Sequence, residues 1–176
     1  MTTDEVLMHQ FQAGSGQAFE ELFERYRDPV HAFFSRRVWT LGRAEDLAQE
    51  TWMAVLKATV RYQPNAPFRS YLYGIAFRVL ANERRKAARQ KSQVPEYLRI
   101  PSEEATFLVR NALEKLDATD REILMLREYE QLSYDEIAAV LRIPLNTVRS
   151  RLFRARLAMR ALLEPRPESI AARGRL

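Results

Sequence analysis

Residues 133–163 read SYDEIAAVLRIPLNTVRSRLFRARLAMRALL, and this stretch decides the fold. Ser133 with Glu136 three positions on has the form of a capping box, in which a hydroxyl and a carboxylate satisfy each other's backbone amides at a helix start. The box opens a short helix containing Ile137, Ala138 and Leu141. Arg142-Ile143-Pro144 interrupts it, and a longer helix is predicted from about Asn146 to Leu163. On that helix Val148, Leu152, Ala155, Met159, Leu162 and Leu163 fall in one stripe about 100° wide, which packs inward. The other faces carry Thr147, Arg149, Ser150, Arg151, Phe153, Arg154, Arg156 and Arg160. Arginine forks suit phosphate oxygens or the acceptor edge of guanine, and an aromatic off the apolar stripe suits a thymine methyl or a sugar. Two helices joined by so short a turn, the second strongly basic, make a helix-turn-helix candidate. The plainer alternative is an arginine-rich solvated helix with Phe153 tucked under a neighbour.

Upstream of this unit, Leu113 and Leu116 precede Thr119 and Glu122, which read as another capping box opening a helix through Ile123, Leu124 and Leu126. Before them, Arg89 to Glu104 loses apolar periodicity and contains Pro95 and Pro101, the mark of a linker. From Phe19 the pattern Leu22, Phe23, Tyr26, Val30, Phe33, Phe34 has helical spacing. So do Leu47, Trp52, Val55, Leu56 and, beyond Pro64 and Pro67, Phe68, Leu72, Ile75, Ala76, Val79, Leu80. Three or so packed helices are therefore expected in the first half. The predicted fold is all-α, with small helical domains over 1–88 and 105–165, a linker over 89–104 and a tail over 166–176.

The net charge of +5 conceals four blocks of alternating sign. Residues 1–60 carry 6 basic and 9 acidic side chains, 61–101 carry 9 and 2, 102–141 carry 4 and 10, and 142–176 carry 9 and 2. A basic block ending each half suggests two contacts with a polyanion, each preceded by an acidic scaffold that repels nucleic acid or meets a basic protein surface. Chance clustering is the alternative reading of the same charges.

Composition excludes several classes. The 176 residues contain no cysteine, which removes disulfides, thiolate zinc sites and a cysteine nucleophile. His9 and His31 lack metal-ligand spacing, and five glycines do not build a phosphate loop. No cofactor or metal is expected, and no catalytic role. Nothing in the chain has the length and apolarity of a membrane span, and Met1 to Gln10 is polar and acidic, unlike a signal peptide, so a cytoplasmic protein is expected.

The first basic block mixes cations with rings: Phe68-Arg69-Ser70-Tyr71-Leu72-Tyr73 leads into Arg78, Asn82, Arg84, Arg85 and Lys86. Aromatic faces receive bases that have left the stack, at ~1–3 kcal/mol per base. Phe68 and Phe77 read as core; Tyr71 and Tyr73 suit either the core or a base.

With these residues in place, the stretch from about Phe19 to Leu163 resembles the extracytoplasmic-function (ECF) sigma factors of bacterial RNA polymerase. Glu45-Asp46-Leu47-Ala48-Gln49-Glu50-Thr51-Trp52 looks like the segment with which that family grips the polymerase clamp. Phe68 to Arg85 looks like its minus-ten recognition and melting helix. Ser133 to Ala138 and Thr147 to Arg156 look like its minus-thirty-five reader. The resemblance implies a sigma region 2 bundle joined by the linker to a sigma region 4 helix-turn-helix. It implies core polymerase and promoter DNA as partners, and an anti-sigma factor as a partner that many relatives have. Carried over by position, it assigns Asp46, Gln49 and Glu50 to the polymerase. It assigns Arg69, Tyr71, Tyr73, Arg78, Asn82, Arg84 and Arg85 to the minus-ten element, and Thr147, Arg149, Ser150, Arg151, Phe153, Arg154 and Arg156 to the minus-thirty-five element.

The chain departs from the family pattern at Tyr71, where Trp is frequent, at Phe77-Arg78, where Arg-Asn is, and at Asn82, where Asp is. Arg142 and Asn146 stand where glycine is common, so a left-handed backbone there would cost Arg142 some steric strain. Two rival readings remain: a dimeric helix-turn-helix regulator acting without polymerase, and an enzyme with a basic nucleic-acid groove.

Overall fold

The computed structural model describes residues 2–38, 42–63, 66–90 and 104–164. The fold is all-α. Helices α1 (Asp4–Gln12), α2 (Gly16–Ser35), α3 (Arg43–Ala58) and α4 (Phe68–Gln90) build the first domain, with a 3₁₀ turn at Thr59–Arg61. Helices α5 (Glu104–Glu114), α6 (Ala118–Glu128), α7 (Tyr134–Leu141) and α8 (Leu145–Leu163) build the second.

Three of the first domain's helices follow from apolar spacing. Leu22, Val30, Phe33 and Phe34 of α2, Leu47, Trp52 and Val55 of α3, and Phe68, Leu72, Ala76 and Leu80 of α4 are all buried. Trp52 is flanked by the rings of Phe19 and Phe23 at 5.9 and 5.1 Å. Gly42 caps α3 with φ +74°, a left-handed backbone that glycine adopts without steric cost.

The additional helix is α1, and it is held in place largely by polar side chains. Glu5 accepts the Phe68 amide at 3.0 Å, satisfying a backbone donor at the start of α4. Gln12 donates to the Thr59 and Tyr62 carbonyls at 2.8 and 2.9 Å and so closes the 3₁₀ turn. Asp4 accepts from both Arg25 and Tyr26 of α2.

In the second domain the Ser133–Glu136 box forms with both bonds present, at 3.1 and 2.7 Å. Arg142 ends α7 at φ 56°, ψ 46°, so the left-handed position falls on an arginine. Asn146 instead lies within α8, which starts at Leu145 behind Pro144. Val148, Leu152 and Ala155 are buried as expected, whereas Leu162 and Leu163 remain 40 and 43% exposed because the stripe runs past the end of the domain's core.

One expected cap is corrected. Asp117, not Thr119, caps α6 and accepts the Thr119 and Asp120 amides at 3.0 and 3.3 Å. Glu122, the expected second half of that box, is buried in ion pairs with the first domain.

Helix α4 continues to Gln90 and α5 begins at Glu104; the rest of the expected linker and the expected tail lie outside the described residues. Helix α4 packs on α7, and the apolar core runs from one domain into the other. Among the described residues no helix is long and apolar enough to cross a membrane.

The Ser133 cap provides a direct test of the helix-turn-helix. Ser133→Ala is expected to lower the unfolding free energy by about 1 kcal/mol, since it leaves the Glu136 amide without its partner. Urea denaturation measures this, and an unchanged midpoint would rule out a stabilising role for the cap.

Candidate nucleic-acid interfaces

On α8 the buried stripe Val148, Leu152, Ala155 fixes which residues point away from the protein. Ser150, Phe153, Arg154 and Leu157 recur at steps of three, one and three, which places them on the opposite side of the helix. All four are exposed, Phe153 to 65%. Arg154 has no ion-pair or hydrogen-bond partner among the described residues, so its fork is available to a ligand. Arg151 and Arg156 occupy the flanks and are held by acids of their own domain. Arg151 pairs with Asp117 and Asp120 at 3.1 and 2.8 Å, and Arg156 with Glu128 at 2.7 Å. The Asp117 carboxyl is held below the ordinary range by the Asp120 and Thr119 amides, with Arg151 adding to the effect. Arg149 reaches Asn146 at 3.4 Å, Ser150 donates to the Thr147 carbonyl at 3.2 Å, and Thr147 is half-buried.

The sequence-derived set on α4 divides between two faces. Tyr71, Arg78, Asn82 and Arg85, at steps of seven, four and three, share one side. Arg78, Asn82 and Arg85 are exposed; Arg78 donates to the Gly74 carbonyl at 3.2 Å and Arg85 to Asn82. The Tyr71 ring is half-buried between Tyr62 and Phe68 at 5.0 and 6.2 Å. Its buried hydroxyl has no protein partner, and burial raises its pKa.

Arg69, Tyr73 and Arg84 share the opposite side. Tyr73 is 2% exposed with its ring 5.8 Å from Phe33, and its hydroxyl is pushed up to about 12, first by burial and then by nearby Glu130. Arg69 donates to the Glu130 carbonyl at 2.5 Å and Arg84 to Glu122 at 2.7 Å. In this arrangement the two arginines are engaged with the second domain, while Tyr73 is held in the first domain's core beside Phe33.

On α3, Asp46, Gln49 and Glu50 are exposed on one face, with Asp46 3.4 Å from Arg43. Arg43 also forks onto Glu83 of α4, and this bond is the main reason that the Glu83 carboxyl lies below its ordinary range. Met53, Leu56 and Val60 extend the face, exposed to 52, 39 and 91%. Sequence reasoning took Leu56 for core and passed over Met53 and Val60. Their signal was the continuation of the Asp46, Gln49, Glu50 spacing by steps of three and four.

Residues 22–90 match the family model "Sigma-70 region 2", and residues 106–159 match "Sigma-70, region 4". The ECF RNA polymerase sigma-E factor of Salmonella typhimurium is 33% identical over 93% of this chain and 95% of its own length. The RNA polymerase sigma-H factor of Pseudomonas aeruginosa is 30% identical over 92% and 94%. A solved structure of CnrH in complex with the cytosolic domain of CnrY superposes with a TM-score of 0.71 at 29% identity, covering 92% of this chain and 97% of that one. Region 2 thus coincides with the helices that carry the first basic block and region 4 with the helix-turn-helix, and the chain belongs to the ECF sigma factors, the initiation subunits that direct bacterial RNA polymerase to promoters.

Proposed function

We propose that α8 reads the minus-thirty-five element through Ser150, Phe153 and Arg154, with Thr147, Arg149, Arg151 and Arg156 placing the helix on the flanking phosphates. The observation that carries this reading is the position of those three side chains directly opposite the buried stripe, with the Arg154 fork unpaired among the described residues. A helix entering the major groove presents its outermost face to base edges, while flanking cations meet the backbone.

In the same reading α4 serves the minus-ten element. Arg78, Asn82 and Arg85 line the strand and Tyr71 offers a ring to an unstacked base, while on the opposite side of α4 Arg69 and Arg84 become available to phosphates once released from the second domain and Tyr73 stays packed beside Phe33. Residues 1–88 form the polymerase-binding and melting domain and 105–165 the upstream-reading domain. The α3 face of Asp46, Gln49 and Glu50, extended by Met53 and Val60, meets core polymerase. The chain acts in the cytoplasm as a non-catalytic subunit. Duplex binding at one domain raises the effective concentration of the other at the region to be opened, and captured bases offset part of the few kcal/mol that unstacking costs.

A partner of the anti-sigma kind is part of this proposal. It is supported by CnrH, whose solved structure is a complex with the cytosolic domain of CnrY. A cavity of about 720 Å³ between the domains, lined by Arg36, Arg121, Leu113 and Met125 among others, suits an amphipathic segment.

The experiment adds the chain to sigma-free core polymerase on total genomic template and maps transcript starts. Starts sharing two upstream motifs at a fixed spacing are expected. A symmetric footprint on DNA without core, and no transcripts with it, would instead identify an operator-binding dimer.

A further inference from the structure

The cavity between the domains has a chemically divided lining. The second domain supplies its aliphatic part, Val109 and Leu113 of α5 with Ala118 and Met125 of α6. The first domain contributes only cations there, Arg36 and Arg37 just past α2 and Arg84 of α4. Arg110 and Arg121 extend the cationic part, so that five arginines face two glutamates, Glu114 and Glu122.

The arginines are not equally committed. Arg37 is 1% exposed and is already paired with Glu122 and Glu130. Arg84 gives one nitrogen to Glu122 at 2.7 Å, and its side chain remains 45% exposed. Arg36 lies over the Tyr129 ring at 4.6 Å and reaches Glu130 only at 3.4 Å. Arg121 is half-buried and has no ion-pair or hydrogen-bond partner among the described residues. A guanidinium held beside aliphatic side chains with no carboxylate on it attracts an anion more strongly than the same group in open water.

Two further features narrow the ligand. Among the described residues the lining has no amide, serine or threonine side chain, the neutral groups with which a site orients a base or a sugar. At about 720 Å³ the cavity falls within the ~300–1,000 Å³ range of small-molecule sites. A stably bound protein needs ~1,200–2,000 Å² of buried surface and so must also use surface outside the cavity, whereas a small ligand fits within it whole.

We infer that this cavity is a binding site for a single-chain amphiphilic anion. Its phosphate or carboxylate head is held by Arg121, Arg84 and Arg36, and its alkyl tail lies along Val109, Leu113 and Met125. The site stands whichever promoter element each helix reads.

Isothermal titration calorimetry on the full chain, below micelle-forming concentrations, compares dodecyl phosphate, dodecanoate, dodecyltrimethylammonium and inorganic phosphate. One molecule of either anionic amphiphile is expected per chain, and the tighter of the two identifies the head group. The cationic amphiphile and inorganic phosphate each lack one half of the ligand and should bind roughly tenfold or more weakly. Decyl and octyl phosphate should lose about fourfold in affinity per methylene group removed. Arg121→Gln orphans no carboxylate, so the fold should hold, and it should weaken both anions by about tenfold or more, the worth of a hydrogen bond to a charged group. Arg160→Gln, which removes an exposed α8 cation that lies outside the cavity and pairs with Glu164, should change nothing. Equal affinity for the dodecyl cation and the dodecyl anions, affinity independent of tail length, or equal binding by the parent and Arg121→Gln overturns the site. If Arg121→Gln loses its helical circular dichroism, Arg36→Gln, which leaves Glu130 its bonds to Arg37, decides by the same titration. Loss of the site leaves transcription from mapped promoters as it was, so failure here is distinct from failure of the α4 and α8 assignments.

Discussion

Phe33→Ala is expected to destabilise the first domain by about 3–5 kcal/mol, the range for deleting a fully buried aromatic ring. The ring has no solvent exposure, packs edge-on against Phe34 at 5.0 Å and lies tilted against Tyr73 at 5.8 Å. It touches α2, α4 and the Arg37 guanidinium together, so no single neighbour can move in to fill the space. Small domains have only ~5–15 kcal/mol in total, so most of the margin would be gone. At ~4–8 °C per kcal/mol for a domain of this size, the thermal midpoint should fall by more than 10 °C. Phe33→Leu keeps part of the volume and should lose less. The Arg37 bond to the Phe33 carbonyl is made by backbone and so is available in both variants, whereas Phe33→Ala also removes the ring that lies 3.9 Å from the Arg37 guanidinium. A midpoint for Phe33→Ala within about 3 °C of the parent would show that the ring is not a core element.

The helices with strong apolar periodicity were legible: α2, α3, α4, α7 and α8 all follow from spacing, and the Ser133–Glu136 box marks its helix start to the residue. What escaped was held by polar, non-local contacts. Helix α1 buries only Leu7 and Met8, and its place is determined by Asp4, Glu5 and Gln12 reaching α2, α4 and the 3₁₀ turn. No local pattern announces such bonds. The Thr119–Glu122 box was misread for the same reason. The motif is present, but Asp117 two residues earlier is at least as good a cap, and Glu122 is recruited by Arg37, distant in sequence. Tyr71 and Tyr73 show a different limit. Residues two apart on a helix point to opposite sides, so both could never serve one face; deciding which is buried needed the position of Phe33 on α2.

The alternating charge blocks have a partner within the molecule. The acidic block of residues 102–141 read as a surface that repels nucleic acid or meets a basic protein. In the fold, Glu122 and Glu130 meet arginines of the first domain, while Asp117, Asp120 and Glu128 brace Arg151 and Arg156 of α8. The acids therefore sort the arginines. Those bonded to an acid are oriented and partly neutralised, and those left unpaired on an outer face, Arg154 above all, are the ones a polyanion meets first.

That sorting sets the ranking among α8 variants. Arg154→Ala is expected to weaken binding to upstream promoter duplex by about 1–3 kcal/mol, roughly 5- to 150-fold, because it removes the central fork of the outer face. Arg151→Ala should cost less, since one terminal nitrogen of that guanidinium is already bound to both Asp117 and Asp120, which ties the side chain to its own domain. Arg154→Lys separates the two parts of the interaction. Lysine keeps the positive charge, so the dependence of affinity on salt should stay near that of the parent. It cannot present two parallel donors to one guanine edge, so discrimination against substitutions at the contacted base pair should fall. Anisotropy titrations at two salt concentrations, on the parent duplex and on duplexes changed one base pair at a time, read both quantities. Equal losses for Arg154→Ala at every sequence would make Arg154 a phosphate contact, and a larger loss for Arg151→Ala would show that the flank, not the outer face, enters the groove.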